Sequence, residues 1–200
     1  MNTLQRSDLQ LFRPHHKNGT MVATARAPTL EAPMDNGTIN LTYDGRVSLN
    51  FRLAVPQSPD KVWKVITQRE FLDTWFPADV DFTLTPGADL LFKVTPQQVK
   101  RYGLPADHST HGTVISVHPH HIFEYLWDAD TLHWELHPDG TGGCWLTLTH
   151  TMEDEESAYA HAAGWHAGLE VVAAQLDGRE VDWSPWDRAD ELASQYRKSA

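Results

Sequence analysis

An α+β fold, with one antiparallel sheet covered by one long helix, follows from three features of this 200-residue sequence. First, apolar and polar residues alternate in a succession of short runs separated by turn dipeptides, as half-buried antiparallel strands require. Second, between 154 and 178 the period becomes helical, with Ala158, Ala162, Trp165, Leu169, Val172 and Leu176 in one stripe. Third, a sheet with one apolar face and a helix with one apolar stripe can bury both by packing together, which makes a layered domain.

The elements follow in chain order. Residues 1–37 have no sustained period and scatter Pro14, Pro28 and Pro33 among polar residues, so they read as an extended or mobile arm. The folded domain is assigned to 38–180 and a tail to 181–200. Ile39, Leu41 and Tyr43 alternate up to Asp44-Gly45, and Val47, Leu49, Phe51, Leu53 and Val55 alternate beyond it. That dipeptide tolerates the positive φ of a tight turn, so the ribbon is a hairpin. Ser58-Pro59-Asp60 supplies an N-cap, a first-position proline and a first-turn acid for a short helix carrying Val62, Trp63 and Ile66. Thr67 and Glu70 have capping-box spacing for a second helix with Phe71, Leu72, Trp75 and Phe76, stopped by Pro77. Six further strands are expected at 80–84, 90–94, 113–117, 123–127, 132–136 and 146–150, with a polar loop over 95–110. Asp154 or Ser157 caps the long helix and Gly178 ends it. A short tail helix starts at Ser184-Pro185, with Asp187 at its third position.

Composition narrows the function. There are 16 Lys+Arg against 27 Asp+Glu, a net charge of −11, and 12 histidines. Protonating every histidine brings the sum only to −11 + 12 = +1, so neither nucleic acid nor an anionic membrane surface is an expected partner. The lone Cys144 forms no intramolecular disulfide or Cys-x-x-Cys site and reads as a packed thiol. No run approaches the ~18 apolar residues that span a bilayer, and the N-terminus has no secretory pattern, so a cytoplasmic location is expected. Eight tryptophans remain to be explained, either as an aromatic core or as the walls of a cavity.

Four motifs carry a family resemblance: Ser58-Pro59-x-x-Val62-Trp63, Leu72-x-x-Trp75-Phe76-Pro77, Leu146-Thr147-Leu148-Thr149-His150, and Gly164-Trp165-x-x-x-Leu169 with Leu176 and Gly178. In this order they resemble the START-like (SRPBCC, birch-pollen-allergen-like) superfamily, and within it bacterial single-domain members of the branch named after the activator of heat-shock protein 90 ATPase. The resemblance implies a helix-grip fold, a curved sheet around the long C-terminal helix. It also implies a cavity between them for an apolar or amphipathic small molecule. It supplies no catalytic motif and no cofactor. A chaperone is a partner implied by the branch name, and a homodimer is a further possibility. Residues 1–37 are too short to replace the separate N-terminal domain of the eukaryotic activators.

Candidate site residues follow from strand phase. Phe82, Phe92, Tyr125, Trp127 and Trp134 fall on strand faces that meet the helix, where they either fill the core or line a ligand cavity. Trp75 and Phe76 are placed at a mouth, and Trp165 on the helix stripe. His150 shares the inward face of Leu146 and Leu148, so it must find a partner or stay neutral; His161 lies one turn before Trp165. His133, Glu135 and His137 fall on the outer face, and no histidine spacing matches a chelating motif, so no metal site is assigned. The leading function is hydrophobic-ligand binding. The alternatives are a co-chaperone or stress-response regulator, and a cyclase- or hydrolase-like enzyme on an aromatic or polyketide-like substrate with His150 or Tyr125 as acid/base.

Overall fold

Alternation on both sides of Asp44-Gly45 does produce a hairpin, joining β1 (Met34–Leu41) to β2 (Val47–Val55). The computed structural model describes residues 34–198, so most of the predicted arm lies outside the described residues. β1 begins at Met34, inside the stretch read as arm. Gly37 is required at the irregularity in the β1–β2 register between Asp35 and Thr38, since a Cβ there would lie 2.1 Å from the Phe51 ring.

Two short helices follow, α1 (Pro59–Thr67) and α2 (Arg69–Leu72). Ser58 and Pro59 occupy the predicted N-cap and first positions of α1. The capping box predicted for α2 does not form. Thr67 Oγ1 instead donates back to the Trp63 carbonyl at 2.6 Å, and Gln68 takes the cap position. A threonine inside a helix can satisfy its hydroxyl on the preceding turn, and here that choice is made.

β3 (Asp89–Lys93), β4 (Ser109–His118), β5 (Ile122–Trp127), β6 (Asp130–Pro138) and β7 (Cys144–Met152) complete a seven-stranded sheet of order β1-β2-β7-β6-β5-β4-β3. All neighbours are antiparallel. The strand expected at 80–84 is absent. Val80 and Phe82 are buried while Asp81 and Thr83 are exposed, but the segment makes only the single bridge Asp79–Lys93. Period-two burial reports an extended chain with one side against the core, and that chain need not pair with a strand. The loop expected over 95–110 contains α3 (Pro96–Tyr102), closed at its start by a reciprocal Thr95/Gln98 capping box and at its end by Gly103 with φ +68°.

α4 (Glu155–Leu176) is capped by Asp154, whose carboxylate accepts from Glu156 N–H, and lies against the sheet. The predicted single stripe understates its burial. Ala160, Ala163, Ala167 and Val171 are also buried, because α5 (Pro185–Tyr196) packs on the far side with Ala189, Leu192, Ala193 and Tyr196. The result is three layers: sheet, α4 and α5. No helix among the described residues is long and apolar enough to cross a membrane.

Candidate functional site

Strand alternation delivers the predicted rings to the sheet's inner face, and there they close on one another. Phe92 stacks on Trp127 at 4.2 Å between ring centres, Phe82 meets Phe123 at 4.9 Å and Tyr125 at 5.2 Å, and Phe76 stacks on Trp127 at 5.6 Å. Trp134 stands edge-on between Trp75 and Trp165, 5.8 Å from each. Such offset and edge geometries are the favourable ones for aromatic pairs. Four of the five buried indoles have an internal acceptor for the ring N–H: Trp75 the Val65 carbonyl, Trp127 Thr110 Oγ1, Trp134 Tyr125 Oη, and Trp165 His150 Nδ1. The rings between the sheet and α4 form a packed core. Burial holds the Tyr125 hydroxyl far above its ordinary pKa, so it stays protonated.

One end of this core is polar. His150, on β7 opposite Leu132 of β6, reaches diagonally to Asp130 at the start of β6. Trp165 Nε1–H donates to His150 Nδ1 at 3.0 Å, so the proton of the neutral ring sits on Nε2 and is donated to Asp130 Oδ2 at 2.9 Å. Both nitrogens are thereby used within the protein, leaving none for a substrate. His161 lies edge-on to His150 at 5.5 Å, and its Nδ1–H is directed at the Ser157 carbonyl at 3.0 Å. Desolvation, with the neighbouring His150 second, depresses its pKa to about 4. This knot pins α4 to the sheet.

A second polar group sits beneath α5. Gly37 N–H donates to Tyr196 Oη at 3.0 Å, and Tyr196 Oη lies 2.8 Å from His166 Nδ1. Glu170 takes Arg188 in a two-pronged pair at 2.8 Å and 2.8 Å. Burial lowers the His166 pKa. Sequence reading missed this group because a residue on the far side of α4 looks solvated until α5 is known to cover it. On the outer sheet face, His133 pairs with Glu124 at 2.6 Å and His137 with Glu135 at 3.0 Å. Among the described residues no group of three or more His, Cys, Asp or Glu is arranged to hold a metal ion. Cys144 is buried, and desolvation raises its thiol pKa to about 11, which keeps it un-ionised.

A lateral cleft of about 570 Å³ opens beside this core. Gly164 and Gly168, one turn apart on α4, form one wall, and the 73–79 segment after α2 forms another. The starts of α3 (Pro96, Gln97) and α5 (Pro185, Trp186) complete it. Gly168 permits the close approach of Trp75, since a Cβ there would sit 3.3 Å from the ring and from the Trp75 carbonyl oxygen. Of the ten predicted site residues, Trp75 and Phe76 line this cleft, while Phe82, Phe92, Tyr125, Trp127, Trp134, His150, His161 and Trp165 lie outside its lining. Gln98 fixes α3 beside it, its Nε2–H donating to the Pro77 carbonyl at 3.0 Å.

The model of the family described as Activator of Hsp90 ATPase homolog 1-like protein matches residues 56–177. No curated protein matches the chain. Among solved structures, a conserved protein of unknown function from Enterococcus faecalis has TM-score 0.63 at 16% identity, with 82% of this chain and 89% of that one covered. A protein from Bordetella parapertussis has TM-score 0.62 at 21% identity, covering 76% and 86%. The Aha1 dimer from Colwellia psychrerythraea has TM-score 0.51 at 16% identity, covering 64% and 95%. At these identities the likeness is one of fold.

Proposed function

Because the chain belongs to the family of Activator of Hsp90 ATPase homolog 1-like proteins, we propose that it is a non-enzymatic helix-grip domain that binds a small amphipathic molecule, and that the ligand enters the lateral cleft. The observation that carries this reading is the contrast in filling. The space between sheet and α4 is occupied by rings in mutual contact, whereas the cleft beside Gly164 and Gly168 offers about 570 Å³. That volume falls within the roughly 300–1,000 Å³ typical of small-molecule sites. Trp75, Phe76, Trp186 and Ala78 supply apolar wall, and Thr74, Thr95 and Gln97 supply polar groups able to orient a guest. The co-chaperone alternative rests on the family's description and on no contact within this chain.

Titration with the neutral fluorescent probe N-phenyl-1-naphthylamine tests the reading. Gly164→Leu places a side chain in the cleft from a helical position and should weaken probe binding at least about tenfold without loss of stability. Phe82→Leu, inside the ring cluster, should lower stability and leave probe affinity unchanged. The opposite pattern, with binding lost in Phe82→Leu and kept in Gly164→Leu, would return the site to the sheet–helix interior.

A further inference from the structure

The charges around the cleft are unevenly distributed. Of the charged residues that line it, Arg69 is the single cation, set against Asp73 and Asp79. Arg69 Nη2 pairs with Asp79, and its Nε lies 3.9 Å from Asp73. The same two-to-one arrangement recurs outside the lining, where α3 meets α5. There Arg101 Nη1 donates to Asp187 at 2.7 Å and its Nη2 pairs with Asp190. The lining itself thus carries one guanidinium against two carboxylates, an excess of one negative charge beside an aromatic wall, and the neighbouring α3–α5 contact has the same ratio. The carboxylates of Asp73, Asp187 and Asp190 keep about half or more of their surface in solvent, at 53%, 65% and 51%. Each retains lone pairs for a further donor, since a carboxylate offers about four acceptor sites.

We infer that this cleft selects a positively charged amphiphile, an aryl- or alkylammonium, over a carboxylic acid or phosphate of the same shape; the inference rests on the cleft being the ligand site. The apolar body sits against the wall formed by Trp75, Phe76 and Trp186, and the ammonium faces the carboxylate surplus. An anion placed there meets net repulsion from the lining and from a chain whose overall charge is −11. Trp186, half-buried on α5, adds a ring face for a cation within reach.

Three probes with one aromatic body separate charge from shape: 2-naphthylmethylammonium, 2-naphthylmethanol and 2-naphthylacetate, titrated by calorimetry at low ionic strength. The ammonium should bind about tenfold more tightly than the acetate, with the alcohol between them. The ratio should shrink toward one in 0.5 M salt, where the Debye length is only about 4 Å. Asp73→Asn, at an exposed side chain, with Asp79→Asn, at a partly buried one, leaves Arg69 as the sole lining charge and should abolish the preference for the ammonium. Equal affinities, preference for the acetate, or an ammonium that does not bind would each overturn the inference. If N-phenyl-1-naphthylamine still binds and Gly164→Leu still blocks it, the cleft reading survives that failure. If neither holds, both readings fall together.

Discussion

The two sides of α4 are held by different physics. Toward the sheet, the helix presents Trp165 to a contiguous set of rings and to a histidine whose two nitrogens are both engaged. Toward the cleft it presents Gly164 and Gly168, and the elements beyond are tied by side-chain ion pairs such as Arg101 with Asp187 and Asp190. The first side cannot open without losing aromatic contacts and stranding buried polar groups. On the second side the α3–α5 contact can separate with its charges passing directly into water, while α5 itself stays held to α4 by Leu192, Tyr196 and the Arg188–Glu170 pair. The rings expected to line a cavity under the helix are in mutual contact, and the cleft opens on the side where α3 meets α5 through exposed ion pairs.

The largest expected effect follows on the sheet side. Trp165→Ala removes contacts to Trp134 and Phe76 and leaves His150 Nδ1 without its donor. Truncating a buried aromatic costs about 3–5 kcal/mol, and an orphaned polar atom adds to it. Urea unfolding should therefore show the variant close to the limit of stability. A loss below about 1 kcal/mol would mean that the rings are loosely packed and that the contrast between the two sides is false.

Much of this was legible beforehand, and the reasons for the misses are specific. Strand alternation placed Tyr125, Trp127, Trp134 and His150 inward correctly, because a two-residue period depends only on the chain being extended. The same logic misassigned 80–84, where burial without pairing looks identical in sequence. The partners of His150 were not legible, since Asp130 is diagonal to it across β6 and no local pattern encodes that contact. The cleft was legible through Trp75 and Phe76, and through Gly164 on the long helix. Its remaining walls come from α3, which is short and polar, and from α5, whose docking on α4 decides which small residues end up beside open space.

Acid should act next most strongly, and again on the sheet side. His161 has a folded pKa of about 4 against roughly 6.5 for an exposed histidine. As pH falls from about 6.5 to 4, the unfolded chain takes up a proton that the folded chain refuses. Stability should fall over that window by on the order of 3 kcal/mol and level off below it as far as this residue is concerned. His161→Leu should flatten that part of the profile. An unchanged slope would assign the acid sensitivity to the other buried histidine, His166 under α5, and reverse the comparison.

A smaller loss is expected where α5 meets α4 and β1. Tyr196→Phe deletes one hydroxyl that serves both Gly37 N–H and His166 Nδ1. About 1–2 kcal/mol is the usual cost of leaving such a partner unsatisfied. Hydrogen exchange should rise first at the Gly37 amide and in α5, with the β5–β7 amides unaffected. Exchange rising equally across the sheet would show that the layers unfold as one unit.

The smallest expected effect is the sharpest test of the weak side. Arg101→Gln removes both ion pairs between α3 and α5, yet all three partners keep substantial contact with water. Exposed pairs contribute about 0–1 kcal/mol, so the global unfolding free energy should change by less than 1 kcal/mol. Locally the change matters more, because Trp186 stands at the start of α5 against Tyr102 and lines the cleft. With the clamp gone, probe dissociation from the cleft should quicken by several-fold while the melting temperature barely moves. A variant that instead lost as much stability as Trp165→Ala would show that the α3–α5 clamp holds the fold as firmly as the rings do, and the cleft would then have no easily opened side.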